Sequence, residues 1–151
     1  MPSENEHVQK TLHNFEVIKY LLAKPEFCDW TATVIFYTAL HIVEAVFFYD
    51  TKHSKERHGQ SHENREKILK NTKSYQNIHR HYRPLQSASV IARYLSNLGK
   101  DVTNFQQYMT AQQVQELLIK HHLAQVIKSA CKFLSENTAK LVSYKFNETF
   151  Q

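Results

Sequence analysis

Glycine and proline are scarce in this chain, two and three residues respectively out of 151. That scarcity excludes a turn-rich sandwich or barrel, a collagen-like repeat and a low-complexity chain, each of which needs many special backbone positions. Cysteine is equally rare. Cys28 and Cys131 stand in no CxxC or other ligand spacing and are flanked by apolar residues, so they read as buried thiols in a reducing compartment. The first residues, MPSENEHVQK, lack the basic stretch and apolar run of a secretory signal, and the expected location is the cytoplasm. No GxSxG, GxGxxG or GxxxxGK[ST] motif occurs, which removes the serine-hydrolase, dinucleotide and P-loop readings.

What is present favours helices. The chain is 42% hydrophobic and 22% charged, with a mean hydropathy of −0.53, as expected for one globular domain spanning residues 1–151. A chain of this size buries roughly 70% of its unfolded surface and needs no covalent staple. Val8, Leu12, Phe15, Ile18, Leu21 and Leu22 recur at helical spacing and predict a first helix from about Glu4 to Ala23. A second helix is expected from Phe27 or Asp29 to Tyr49, apolar on nearly every face and therefore central. Within it, Trp30 to Tyr49 is long enough to cross a membrane but carries His41 and Glu44 near its middle, which suits a buried bundle helix better, and no membrane partner is expected.

Residues 50–60 are polar and read as a loop, after which Ser61 is a helix N-cap and a thin-striped third helix runs to about Lys73, at the surface or an interface. Pro84 suits the first turn of a fourth helix ending at Gly99, with residues 78–83 forming either a lead-in turn or a kinked extension of it. Residues 101–109 read as a loop. Thr110 and Gln113 then have capping-box spacing before a long fifth helix, which the apolar tail from Asn137 either extends or leaves to dock on a neighbour. The expected fold is all-α, an antiparallel bundle of four to five helices.

Charge is localised. From Lys52 to Arg83 there are nine Lys and Arg against three Asp and Glu, and ten against eleven elsewhere. Five of the ten histidines, His53, His58, His62, His79 and His81, lie in that window. A basic, histidine-rich face fits an anionic partner, RNA or a nucleotide, through Lys52, Lys55, Arg57, Arg80 and Arg83, or else it is a solvated surface. Tyr75 and Tyr82 either stack on bases or fill the bundle. His41 and Glu44, three apart on the apolar helix, form either a catalytic pair or a buried polar network. His62 and Arg65, three apart at a helix start, make a phosphate-binding corner or an ordinary cap. The spacings His58/His62, His79/His81 and His121/His122 admit zinc, but Gly59 interrupts the first and no regular Cys/His array exists, so neither a metal nor any other cofactor is expected.

The segments DWTATVIFYTALHIVEA, HGQSHENR and YRPLQSASVIARY resemble the HEPN superfamily of small helical proteins, in particular a bacterial branch. In that branch a Trp and an FYxALHxxxA helix precede an SHxxR helix start and a YxxLxxxSxxARY helix. The corresponding residues are Trp30, Phe36, Tyr37, Ala39, Leu40, His41 and Ala45, then Ser61, His62 and Arg65, then Tyr82, Leu85, Ser89, Ala92, Arg93 and Tyr94. The resemblance implies an all-α bundle, often a homodimer, in toxin–antitoxin modules, phage defence or RNA processing, with a partner protein in some settings. It also implies a metal-independent ribonuclease in catalytic members, whose motif is matched formally by Arg57, His58 and His62. In that chemistry histidine moves the proton of the ribose 2′-hydroxyl and arginine stabilises the phosphorane. Gly59 and the cap at Ser61 put Arg57 in a loop rather than a helix. The candidate site on this reading combines His62 and Arg65 with Arg93, and Arg57 and His41 complete the set. The alternative is a non-catalytic dimeric interaction or nucleotide-binding module in which the same polar residues are structural.

Overall fold

The computed structural model describes residues 2–55, 58–95 and 103–151. Among these residues all regular structure is helical. Helix α1 (Glu4–Leu22) starts on a capping box in which the Ser3 hydroxyl accepts from the Glu6 amide and the Glu6 carboxylate accepts from the Ser3 amide at 2.7 Å, satisfying two amide groups that a helix start leaves open. A 3-10 turn at Pro25–Phe27 leads into α2 (Cys28–Tyr49).

Helix α2 is the centre of the bundle, packing most heavily against α1 and also against the helical segments that run over Gln76–Tyr94, Val114–Leu123 and Ala124–Ala130. Ile35, Phe36, Ile42, Val43, Val46 and Phe47 are inaccessible to solvent. Length and composition alone would let this helix cross a membrane, yet 78% of its most apolar window is buried inside the protein. Its threonines fit because each hydroxyl has a carbonyl partner one turn back: Thr31 donates to Phe27, Thr33 to Asp29 and Thr38 to Val34, so no polar group is stranded.

The polar stretch after α2, expected as plain loop, contains a short helix, α3 (Thr51–Ser54). Its reason is the end of α2, where last-turn carbonyls need donors. The Ser54 hydroxyl folds back onto the Phe47 carbonyl at 2.6 Å, and the Asp50 carboxylate accepts from the Tyr75 hydroxyl at 2.7 Å and pairs with His53 at 2.8 Å. Helix α4 (His62–Asn71) begins where Ser61 caps it, the serine hydroxyl accepting from the Asn64 amide. It buries Arg65, Ile68 and Leu69.

Helix α5 (Gln76–Tyr94) starts eight residues before Pro84, so residues 78–83 extend the helix and the start at Pro84 does not hold. A proline inside a helix removes one amide donor, here to the carbonyl of Arg80. Arg80 is exposed, so water can take that carbonyl. The helix ends at Tyr94 with Leu95 left-handed, φ 50°; the expected stop at Gly99 lies outside the described residues.

The Thr110–Gln113 capping box forms as expected, at the start of α6 (Ala111–Gln113). The coil then widens into a π-helical stretch, Val114–Leu123, and narrows again into α7 (Ala124–Ala130). After a 3-10 turn at Cys131–Phe133 the chain breaks at extended Leu134 and starts α8 (Glu136–Phe150). The tail thus docks as a separate helix. Phe146 and Phe150 pack edge-on against Phe15 of α1, both at 5.7 Å between ring centres. The Glu4 carboxylate closes the same seam by accepting from the Ser135 and Thr138 hydroxyls at 2.9 and 3.0 Å. One continuous apolar core results.

Candidate functional site

The polar residues of the middle segment converge on Glu44, which α2 carries into the core at 2% exposure. A bare carboxylate there would be costly. Arg65 answers it: α4 crosses so that Nε donates to Glu44 Oε1 at 2.6 Å, and Arg65 is itself only 5% exposed. The other carboxylate oxygen accepts the amide of Gly59. Gly59 has φ 75°, a conformation that glycine adopts without steric cost, and this turn is what aims the amide at Glu44. Arg65 Nη2 donates to the Gln60 carbonyl at 2.6 Å. One buried ion pair therefore pins the 59–60 turn to both α2 and α4.

Arg65 also reaches outward, with Nη1 at 3.3 Å from Nδ1 of His62. A guanidinium can only donate, so His62 Nδ1 is the acceptor and the neutral ring carries its proton on Nε2. His62 is exposed, and its ring rests against Phe36 and Tyr37. Partial burial, then the charges of Arg65 and Arg93, push its pKa below the usual histidine value. Arg93 also packs against Tyr37. Its guanidinium lies 5.8 Å from the Tyr37 ring centre and 3.5 Å from that hydroxyl, and it donates to the Ser89 carbonyl and hydroxyl at 3.2 Å each. His62, Arg65 and Arg93 are thus brought together as expected, but in different roles. Arg65 is spent on Glu44, while His62 and Arg93 reach the surface.

The remaining candidates separate. His41 does not pair with Glu44: its Nδ1 meets Nδ1 of His7, from α1, at 3.1 Å. His7 carried no signal in the sequence beyond its place in an amphipathic helix. Burial holds both rings neutral, pushing His41 down to about 4, with His7 and Lys10 adding to the effect and Glu44 opposing it. His41 is half-buried and engaged with His7 rather than with Glu44. Arg57 lies outside the described residues. His58 sits in the turn before α4 against the Phe48 ring, and its Nδ1 is buried with no partner, so the formal Arg57–His58–His62 match is not carried on one helix. Tyr75 and Tyr82 are fully buried, which rules out base stacking by either in this fold; burial pushes the Tyr82 phenol up to about 12.

Lys52, Lys55, Arg80 and Arg83 are all exposed. Lys52 lines a surface depression with Asp50, His53, Lys132 and Phe133, whereas Arg83 lines a separate one with Glu66, Gln86 and Ser87. Lys52 and Arg83 thus line different depressions, and each depression holds a carboxylate. His79 approaches Glu66 at 3.6 Å. Two residues further along α5, Nδ1 of His81 meets Nδ1 of His122 at 3.1 Å.

The His7–His41 pair has a consequence for acid stability. Between the ordinary histidine value of 6.5 and about 4 the unfolded chain takes up protons that folded His41 refuses. More protons on the unfolded chain means stability rises with pH across that window, and is lost as pH falls through it. Discounted for the solvent that reaches the half-buried His41 ring, the loss is about 1–2 kcal/mol. Urea midpoints measured from pH 7 to pH 4 should fall for the parent chain and fall less for His41→Asn. Equal slopes would show that the rings titrate freely.

No protein-family model, curated protein or solved structure matches the chain.

Proposed function

We propose that the chain is an RNA- or nucleotide-binding helical module, an antiparallel bundle of the HEPN kind working as a homodimer, whose phosphate-facing groups are His62 and Arg93. The observation that carries the reading is the tautomer imposed on His62. With Nδ1 occupied by Arg65, Nε2–H of this exposed residue is left as a donor suited to a phosphate oxygen. Arg93 adds a full positive charge beside it, and Tyr37 spaces the two. The start of α4 adds first-turn amides and the positive end of its dipole. Glu63, the nearby acidic residue on that turn, is engaged by Lys67 at 2.8 Å.

Binding fits this geometry better than cleavage. A general base needs a free nitrogen lone pair, and neutral His62 has one nitrogen accepting from Arg65 and the other protonated. Proton abstraction would first require the Arg65 contact to break. The test uses a fluorescent single-stranded RNA with EDTA-treated protein, beside His62→Ala and Arg93→Ala of matched thermal stability. Each variant should weaken binding roughly tenfold, the loss of one charge-assisted or charged hydrogen bond. The RNA should stay intact. Cleavage that disappears in His62→Ala would make the imidazole a reagent and the protein a metal-independent ribonuclease instead. Unchanged binding in both variants would remove the site altogether.

A further inference from the structure

We propose that His81, His121 and His122 form a binding site for a late first-row divalent transition metal, zinc in the first instance. The three rings each present a nitrogen, and these nitrogens lie within 4.8 Å of one another. Two helical elements build the cluster. His81 comes from α5 and is buried, while His121 and His122 come from the π-helical stretch, exposed and half-buried respectively. The widened coil matters. Neighbouring side chains on an α-helix diverge by about 100°; a π-helix has more residues per turn, so consecutive residues diverge less. His121 and His122 accordingly stand with ring centres 4.7 Å apart, and both lie within 5.3 Å of the His81 ring. Such bulges are rare in helices and recur at functional sites.

The spacing suits metal coordination. Zinc–imidazole bonds of 2.0–2.1 Å at tetrahedral angles put ligand nitrogens roughly 3.3–3.4 Å apart. His81 and His122 already hold their Nδ1 atoms at 3.1 Å. Exposed His121 closes the triangle by turning its ring. Three neutral imidazoles with no carboxylate among them favour zinc, copper or nickel over magnesium or calcium, which take oxygen ligands. Solvent beside His121 supplies the fourth position, so the geometry is that of an open three-histidine centre. Arg80, next to His81, works against a cation and keeps the site from being a very tight one. The site shares no residue with the His62–Arg93 surface and does not depend on that reading.

The experiment is titration of the EDTA-stripped full chain with zinc chloride by calorimetry, repeated with cobalt(II) to read the visible absorption of a tetrahedral nitrogen-ligated ion. One equivalent should bind. Even outer-sphere changes at metal sites cost 10–100-fold in affinity, so removal of a ligand in His121→Ala or His122→Asn should each cost at least about tenfold. His121→Ala alters an exposed side chain, so its fold should survive, which metal-free thermal unfolding checks. His13→Ala, an exposed histidine elsewhere, should bind zinc like the parent. Absence of zinc uptake by the parent chain, or parental affinity in either His121→Ala or His122→Asn, would overturn the assignment.

Discussion

Arg65→Ala is expected to lower the unfolding free energy by about 3–5 kcal/mol, the cost of leaving a buried carboxylate without its partner. The magnitude follows from where the pair sits. Glu44 is 2% exposed and Arg65 5%, so water cannot replace either partner. For a chain of this length the loss corresponds to roughly 6–20 °C in melting temperature. Glu44→Ala should cost as much, because Arg65 is then the stranded charge and the Gly59 amide loses its acceptor as well. The double change Glu44→Leu with Arg65→Met separates charge from packing: two apolar side chains of similar volume should recover much of the loss. RNA binding should not recover, since His62 has lost the donor that fixes its tautomer. A single-variant cost under 1 kcal/mol would mean that water reaches the pair in solution. Recovery of binding in the double variant would mean that His62 needs no anchor.

Phe15→Ala is expected to cost about 3–5 kcal/mol, the range for emptying a large buried aromatic site. Phe15 is 1% exposed and is the common neighbour of Phe146 and Phe150, so its removal takes away the floor on which α8 rests. Only Val142 and Phe146 of α8 are buried, a thin stripe that leaves this helix few other holds. Amide hydrogen exchange should therefore accelerate first across residues 136–150, while α2 keeps its protection. Acceleration spread evenly over the chain would show instead that α8 opens only with the whole fold. The Glu4 carboxylate bridging to Ser135 and Thr138 is a second, half-buried latch on the same seam.

Much of the architecture was legible because it is written in local terms. The apolar period of α1, the all-round apolarity of α2, the serine cap at Ser61 and the Thr110–Gln113 box each depend on residues no more than a few positions apart. Local steric and hydrogen-bonding rules act over that range. The misplaced start of α5 shows the limit. Pro84 satisfies a helix-start rule, but Ile78, His81 and Tyr82 are buried by packing on other elements, and that burial carries the helix back eight residues before the proline. The π-helical stretch had no local signature at all.

The chemistry-bearing groups divide the same way. Sequence alone determined that His62 and Arg65 share a face and begin a helix, since a three-residue spacing on a helix fixes that. It also determined that a net basic, histidine-rich segment follows the central helix. Only the tertiary structure decided that Arg65 turns inward to Glu44, that His41 pairs with His7 across 34 positions, and that His81 meets His122 across 41. Each of those partners comes from a different helix. The physical reason is that a buried charge or imidazole must be matched by whatever group packing brings to it, and which helix lies alongside is settled by the summed burial of the whole core rather than by any stretch of the chain.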